Sequence, residues 1–210
     1  MKSKSIPWPV MQRDLVAILR GVKPEEVVGI ANELVEAGIQ AIEVPLNSPR
    51  PFESIELLAA NMPAHILVGA GTVVDEDDVD RLHAAGGKLL VSPNVNEDVI
   101  QRASDLNMVT LPGVFTPTEA FKAVRAGASA LKFFPASVLG PQGIAAIKTV
   151  LPAGTRIGVV GGVDHHSFQE YASVGVSTFG LGSNLYRPGY SAEDVSKLAK
   201  EIVRAYDAAF

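Results

Sequence analysis

Two ionisable side chains interrupt runs that otherwise read as buried strands: Lys132 in "ALKFFP" and Glu43 in "AIEVPL". Burying an ammonium or a carboxylate is costly unless the group is paired or changes its protonation state. An ion pair facing into the fold accounts for both residues and is the plainer reading of either one alone. Arg20, at the end of an earlier apolar run, shifts the balance. A guanidinium does not deprotonate, so in their company it favours a neutral amine at Lys132 and a charged carboxylate at Glu43. A neutral lysine in a partly desolvated pocket is the nucleophile that forms a Schiff base with a ketone. A carboxylate beside it can move protons on and off the adjacent carbons and hydroxyls.

Two glycine pairs form a second constellation: Gly161 and Gly162 in "VVGG", and the "GLGS" stretch with Gly182 and Ser183. Tight turns without a ligand would also use glycine there. Their position at the ends of two successive apolar runs favours a phosphate cradle of backbone N–H groups, and hence a phosphorylated substrate. "GAGTV", with Gly71 and Thr72, offers a backbone N–H and a hydroxyl to a carboxylate or carbonyl oxygen, or else packs a strand tightly against its neighbours.

These residues must be positioned by short β-type runs that alternate with helix-type segments along the whole chain. The runs are "LVAIL" from Leu15, "AIEVPL" from Ala41, "HILVGAG" from His65, "KLLVSP" from Lys88, "MVTLPG" from Met108, "ALKFFP" from Ala130, "RIGVVGG" from Arg156 and "TFGLGS" from Thr178. Their starts lie 20 to 26 residues apart, about one strand, one helix and two loops. Pro24 with Glu25 and Glu26 opens one helix, the acidic stretch from Asp75 opens another, and "EAG", "HAAG" and "RAG" close three with glycine. Eight such units, with no early G-x-G-x-x-G turn, predict a closed (β/α)8 TIM barrel over an open doubly wound sheet. Residues 1–210 are expected to form a single barrel domain, with a short N-terminal helix across its bottom. In such barrels active sites lie at the C-terminal strand ends, where Arg20, Glu43, Thr72, Lys132, Gly161, Gly162, Gly182 and Ser183 all fall.

Composition narrows the function classes. The 210 residues are 47% apolar and 20% charged, with a formal net charge of -5. A mildly acidic chain is a poor partner for nucleic acid or an anionic membrane. With no cysteine, disulfides, thiolate nucleophiles and Cys-based zinc sites are excluded, and a reducing cytoplasm fits. "MKSKSIPWPVMQRD" is broken by Pro7 and Pro9 and does not read as a signal peptide, and no run is long enough to span a bilayer. No metal is expected. "DEDDVD" reads as an acidic helix start, adjacent His165 and His166 as a solvated turn, and His65 and His83 find no second ligand at useful spacing. Trp8 reads as a packing anchor. "NLYRPG" places Tyr186 or Arg187 either near the phosphate loop or at a subunit contact.

"AILRG", "AIEVPLNSP", "LVGAGTV", "LVSPN", "LPGVFTPTEA", "ALKFFPAS", "VVGGV" and "GLGSNLYRPG" occur in this order across nearly the whole chain. Together they resemble the 2-keto-3-deoxy-6-phosphogluconate and 6-phosphogalactonate aldolases, class I enzymes that use pyruvate as their nucleophilic half. The resemblance implies a TIM barrel, usually a homotrimer, with Lys132 as the Schiff-base lysine and Glu43 as general acid and base. It also implies that Gly161, Gly162 and Ser183 cradle the phosphate, and that no cofactor takes part. Gluconate-type members typically carry an arginine in the loop after the second strand and a threonine before the glycine pair of the seventh. This chain has Asn47 and Val160 there and shares both, with Arg20, with the galactonate-type branch. The implied reaction cleaves 2-dehydro-3-deoxy-6-phosphogalactonate to pyruvate and glyceraldehyde 3-phosphate. Gly71, Thr72 and Arg20 would orient the carboxylate end, Phe134 and Pro93 line the pyruvate end, and Val160 face C4. The other readings are an aldolase for the gluconate epimer or for both, a barrel that isomerises or decarboxylates sugar phosphates, and a noncatalytic sugar-acid phosphate sensor.

Overall fold

The computed structural model describes residues 4–210. Strands and helices alternate through it: β1 (Leu15–Ile18), α1 (Pro24–Ala37), β2 (Ala41–Pro45), α2 (Pro51–Asn61), β3 (Leu67–Gly71), α3 (Glu76–Ala84), β4 (Leu89–Val91) and α4 (Glu97–Asp105) come first. The chain continues through β5 (Val109–Leu111), β6 (Gly113–Val114), α5 (Pro117–Ala126), β7 (Leu131–Phe133), α6 (Ala136–Lys148), β8 (Ile157–Val160), α7 (Phe168–Ser173), β9 (Thr178–Leu181) and α8 (Ala192–Ala209). Every strand pairing is parallel, in the order β5-β4-β3-β2-β1-β9-β8-β7-β6. The expected eight-stranded barrel is therefore present, with its fifth strand split into β5 and β6. The break is at Pro112, which has no N–H for the ladder. Its carbonyl still accepts from Lys132 N–H at 2.9 Å, and Thr110 C=O accepts from Ala130 N–H at 3.2 Å, which joins the two ends of the sheet.

Strand periodicity sorts the side chains into two layers. Ile42, Val44, Leu131, Phe133, Ile157, Val159, Phe179 and Leu181 face the helices and form the larger core. Val16, Ala41, Leu89, Val91, Val109, Leu111 and Ala130 form a separate cluster inside the barrel. Glu43 and Lys132 each lie two residues beyond an interior residue, Ala41 and Ala130, and so share the interior face. Helix boundaries follow their local signals. Pro24 begins α1, and Gly38 and Gly127, at φ 98° and 95°, end α1 and α5 in the left-handed conformation.

The expected N-terminal helix is not formed: residues 4–14 contain no helix. Pro7 and Pro9 each remove a donor and disfavour helical backbone at Ile6 and Trp8. Trp8 instead packs into the interior cluster, only 8% exposed, and donates its indole N–H to Asp14 Oδ1 at 3.1 Å. It plugs the bottom of the barrel, as its reading as a packing anchor anticipates. Among the described residues no helix is long and apolar enough to cross a membrane.

Candidate active site

Lys132 on β7 and Glu43 on β2 are buried, 6% and 2% exposed. Among the described residues they make no ion pair within 4 Å, in contrast to the plainer reading of a structural pair. The Lys132 ammonium lies 5.0 Å from the centre of the Phe134 ring. Burial is the main influence on both groups. It pushes the Glu43 carboxyl up to about 7, against the opposing pull of Lys132 and Arg20 and a smaller one from the Gly71 main chain. It pushes the Lys132 amine down to about 8, opposed by Glu43 and assisted by Arg20. One Glu43 oxygen, Oε2, is buried without a hydrogen-bond partner. An unsatisfied buried carboxylate oxygen is costly and unusual in a structural role. The arrangement supplies a lysine that deprotonates near neutral pH and a carboxyl group that titrates in the same range, as proton transfer requires.

Gly71 ends β3 directly against this carboxylate: a Cβ there would lie 2.1 Å from Oε2 and 2.5 Å from Cδ. The following residue, Thr72, has φ 60°, a conformation a β-branched residue rarely adopts. Strain of this kind costs about 1–3 kcal/mol and concentrates at functional sites. Arg20 projects from the loop after β1, where it is exposed and donates to Asn47 Oδ1 in the loop after β2. Ser48 Oγ accepts from Gly21 N–H at 2.9 Å, which ties the same two loops a second time.

A cavity of about 590 Å³ opens above β1, β8 and β9, and its walls bring together Arg20, Phe134, Val160, Gly161, Gly162, Gly182 and Ser183. Phe134 joins it to Lys132. Gly161 and Gly162 have φ 91° and 71°, positions where a side chain would be strained and would also press on Phe134 and Ser137. Among the described residues, the N–H groups of Gly162, Val163, Ser183 and Asn184 have no internal acceptor. Asn184 Nδ2 donates to Val163 C=O at 3.1 Å and holds the two glycine loops together. Val160 leans across Gly180, whose Cβ would lie 2.5 Å from Val160 Cγ2. Free N–H groups on glycine loops at the end of a barrel are suited to an anion.

Gly71, Thr72 and Pro93 lie outside the lining of this cavity. Gly71 belongs to the Glu43 side of the interior. Pro93 is exposed, and its carbonyl faces Gly113, the register partner of Lys132. Tyr186 and Arg187, left between two placements by their sequence, both line the cavity. Asp164 and Asn184 also line it, and neither interrupts an apolar run, so strand patterning gave no sign of them. Only the position of Asp164, two residues after the glycine pair, could have marked it. His165 and His166 lie in a turn before α7, as expected. Among the described residues no group of three His, Cys, Asp or Glu side chains is placed to hold a metal.

A family model for KDPG and KHG aldolases matches residues 9–201. The chain belongs to this family. Family membership makes it an aldolase, a carbon–carbon lyase. It is 57% identical over 205 residues to the probable 2-dehydro-3-deoxy-6-phosphogalactonate aldolase of Rhizobium meliloti, a match covering 98% of this chain and 97% of that one. To the 2-dehydro-3-deoxy-6-phosphogalactonate aldolase of Escherichia coli it is 43% identical over 192 residues, 91% of this chain and 94% of the other. Among solved structures, the native KDPGal structure superposes with a TM-score of 0.94 at 42% identity, covering 97% of this chain and 98% of that one. The family resemblance of the ordered motifs is thereby confirmed, together with the barrel it implies.

Proposed function

We propose that this aldolase cleaves 2-dehydro-3-deoxy-6-phosphogalactonate to pyruvate and glyceraldehyde 3-phosphate through a Schiff base on Lys132. The observation that carries the proposal is the buried, unpaired Lys132 and Glu43 beside a cavity with free N–H groups and Arg20. The 6-phosphate sits on the loops of Gly161, Gly162, Gly182 and Ser183. Arg20, Gly71 and Thr72 orient the carboxylate end, with Pro93 and Phe134 beside the pyruvate carbons. The neutral Lys132 amine adds to the C2 ketone, water leaves, and a cationic iminium forms. Glu43, directly or through a water, takes the C4 hydroxyl proton while the C3–C4 bond breaks, and the electron pair of that bond moves into the iminium. Glyceraldehyde 3-phosphate departs and leaves an enamine on Lys132. Protonation at C3 and hydrolysis release pyruvate and restore the amine. Electrons and protons balance without a metal or organic cofactor.

Selectivity for the galactonate epimer rests on Val160. It faces the cavity where a threonine would present a hydroxyl, and a hydroxyl is a strong discriminator between epimers because an unpaired buried polar group is costly. The Arg20–Asn47 contact supports the same branch, since an arginine at position 47 could not accept this hydrogen bond. The enzyme is placed in the cytoplasm as a homotrimer; the lack of cysteine suits the first and family resemblance the second. The test is incubation with pyruvate and borohydride followed by peptide mapping. A reduced pyruvyl adduct on Lys132 is expected, and its absence in folded protein would overturn the Schiff-base mechanism. Assays on both epimers then decide selectivity.

A further inference from the structure

We infer that Arg187 is a phosphate-recognition residue, a second cation completing the cradle formed by the two glycine loops. The inference rests on the reading that the substrate is phosphorylated. Arg187 lies just beyond the turn Gly182–Tyr186, which is closed by Leu185 and Tyr186 N–H groups donating to Gly182 C=O at 2.8 and 2.9 Å. The residue lines the cavity with Gly161, Gly162 and Ser183. Nε donates to Ser183 C=O at 2.7 Å, which fixes the guanidinium beside the loop and commits only one of its five N–H donors. Among the described residues it has no carboxylate partner within 4 Å. Asp164, the carboxylate on the same lining, turns into its own loop to accept from His166 N–H at 3.0 Å.

Two contacts hold Arg187 in place. Its neighbour Tyr186 is buried and donates to Glu26 Oε1 on α1 at 3.0 Å. On its other side Pro188 packs on Gly21, where a Cβ would lie 2.7 Å from the proline ring. That second contact seats the Arg187 loop against the loop that carries Arg20. The two cations are thus attached to one rigid corner, and only Arg187 follows directly from the glycine turn. Neutral N–H groups orient a phosphate but leave its charge uncompensated, and a guanidinium with free forked donors is the partner that supplies both charge and geometry.

The test uses the whole enzyme with Arg187→Ala and Arg187→Lys. Binding of glycerol 3-phosphate is measured by calorimetry, and in the condensation direction kcat/KM is compared for glyceraldehyde 3-phosphate and unphosphorylated glyceraldehyde, each with pyruvate. The alanine variant is expected to bind glycerol 3-phosphate about 10- to 100-fold more weakly and to lose a similar factor from the ratio of the two kcat/KM values, with lysine restoring part of both. A loss of folded enzyme lowers both aldehydes together and leaves their ratio intact. A wild-type ratio and wild-type glycerol 3-phosphate affinity in both variants would overturn the inference. Failure of the wild type to form the pyruvyl adduct would instead strike the Schiff-base mechanism, while the glycerol 3-phosphate measurement would still decide the role of Arg187.

Discussion

Gly71→Ala tests whether the Glu43 carboxylate does the proton transfer assigned to it. The backbone of Gly71 lies outside the left-handed region, so alanine introduces no strain of its own, and the added methyl meets the carboxylate alone among its nearest contacts, at 2.1 to 2.5 Å. Ordinary contact begins near 3.4 Å, so the carboxylate must retreat by about 1.3 Å inside a fully buried site. A misplacement of about 1 Å in a catalytic group costs roughly 100-fold in rate, or about 2.7 kcal/mol. Overpacking of about 1–3 kcal/mol lowers Tm by roughly 2–12 °C in a chain of this size. The assay follows pyruvate release from the phosphorylated substrate, with thermal unfolding in parallel. If the methyl acts through Glu43, the double variant with Glu43→Gln is no slower than Glu43→Gln alone, because both changes remove one function. Wild-type cleavage by Gly71→Ala, or losses that multiply in the double variant, would refute the role of Glu43.

Lys132→Arg is expected to abolish both turnover and borohydride trapping with little change in Tm, because a guanidinium forms no imine; residual turnover near the wild-type rate would exclude the mechanism. In the wild type, the rate of trapping with pyruvate should rise with pH through about 8, where Lys132 loses its proton, and a flat profile would contradict the depressed amine. Glu43 titrates higher in the folded chain than its ordinary 4.5, so its contribution to stability is full below that value and is lost as pH rises through about 7. The Tm advantage of Glu43→Gln over wild type should therefore grow between pH 5 and pH 8, and a constant difference would disprove the burial effect. Val160→Thr should move the ratio of catalytic efficiencies toward the gluconate epimer by about 10-fold, the value of one good hydrogen bond; an unchanged ratio would remove Val160 from the account of selectivity.

The candidate site of this barrel was legible where it broke a local rule. Lys132 and Glu43 stand out because strands bury alternate residues, so a charge at an interior position violates the pattern within five residues of sequence. The glycine pairs were legible from their place at strand ends. Features created by contact between distant loops left no such trace. The Arg20–Asn47 bond spans two βα loops, and nothing in "PLNSP" says which way the amide points. Arg187 sits in a turn whose composition fits a ligand loop or a subunit contact equally well. Pro7 and Pro9 deny residues 4–14 the helix expected at the barrel bottom, and the split of the fifth strand follows from Pro112 by the same local rule.

The lower half of the barrel bears directly on the chemistry above it. Trp8, Val16, Ala41, Leu89, Val109 and Ala130 pack together inside the barrel, on the strand-start side of Lys132 and Glu43. Burial is the largest influence on both groups, raising the carboxyl to about 7 and lowering the amine to about 8. Above them the strand ends carry glycine: Gly71 leaves room for the Glu43 carboxylate, Gly180 for the Val160 side chain, and Gly182 opens onto the cavity. Apolar packing low in the barrel thus buries Lys132 and Glu43, and glycine at the strand ends makes room for the carboxylate and for the cavity beside the pair, the arrangement that the proposed Schiff-base chemistry needs.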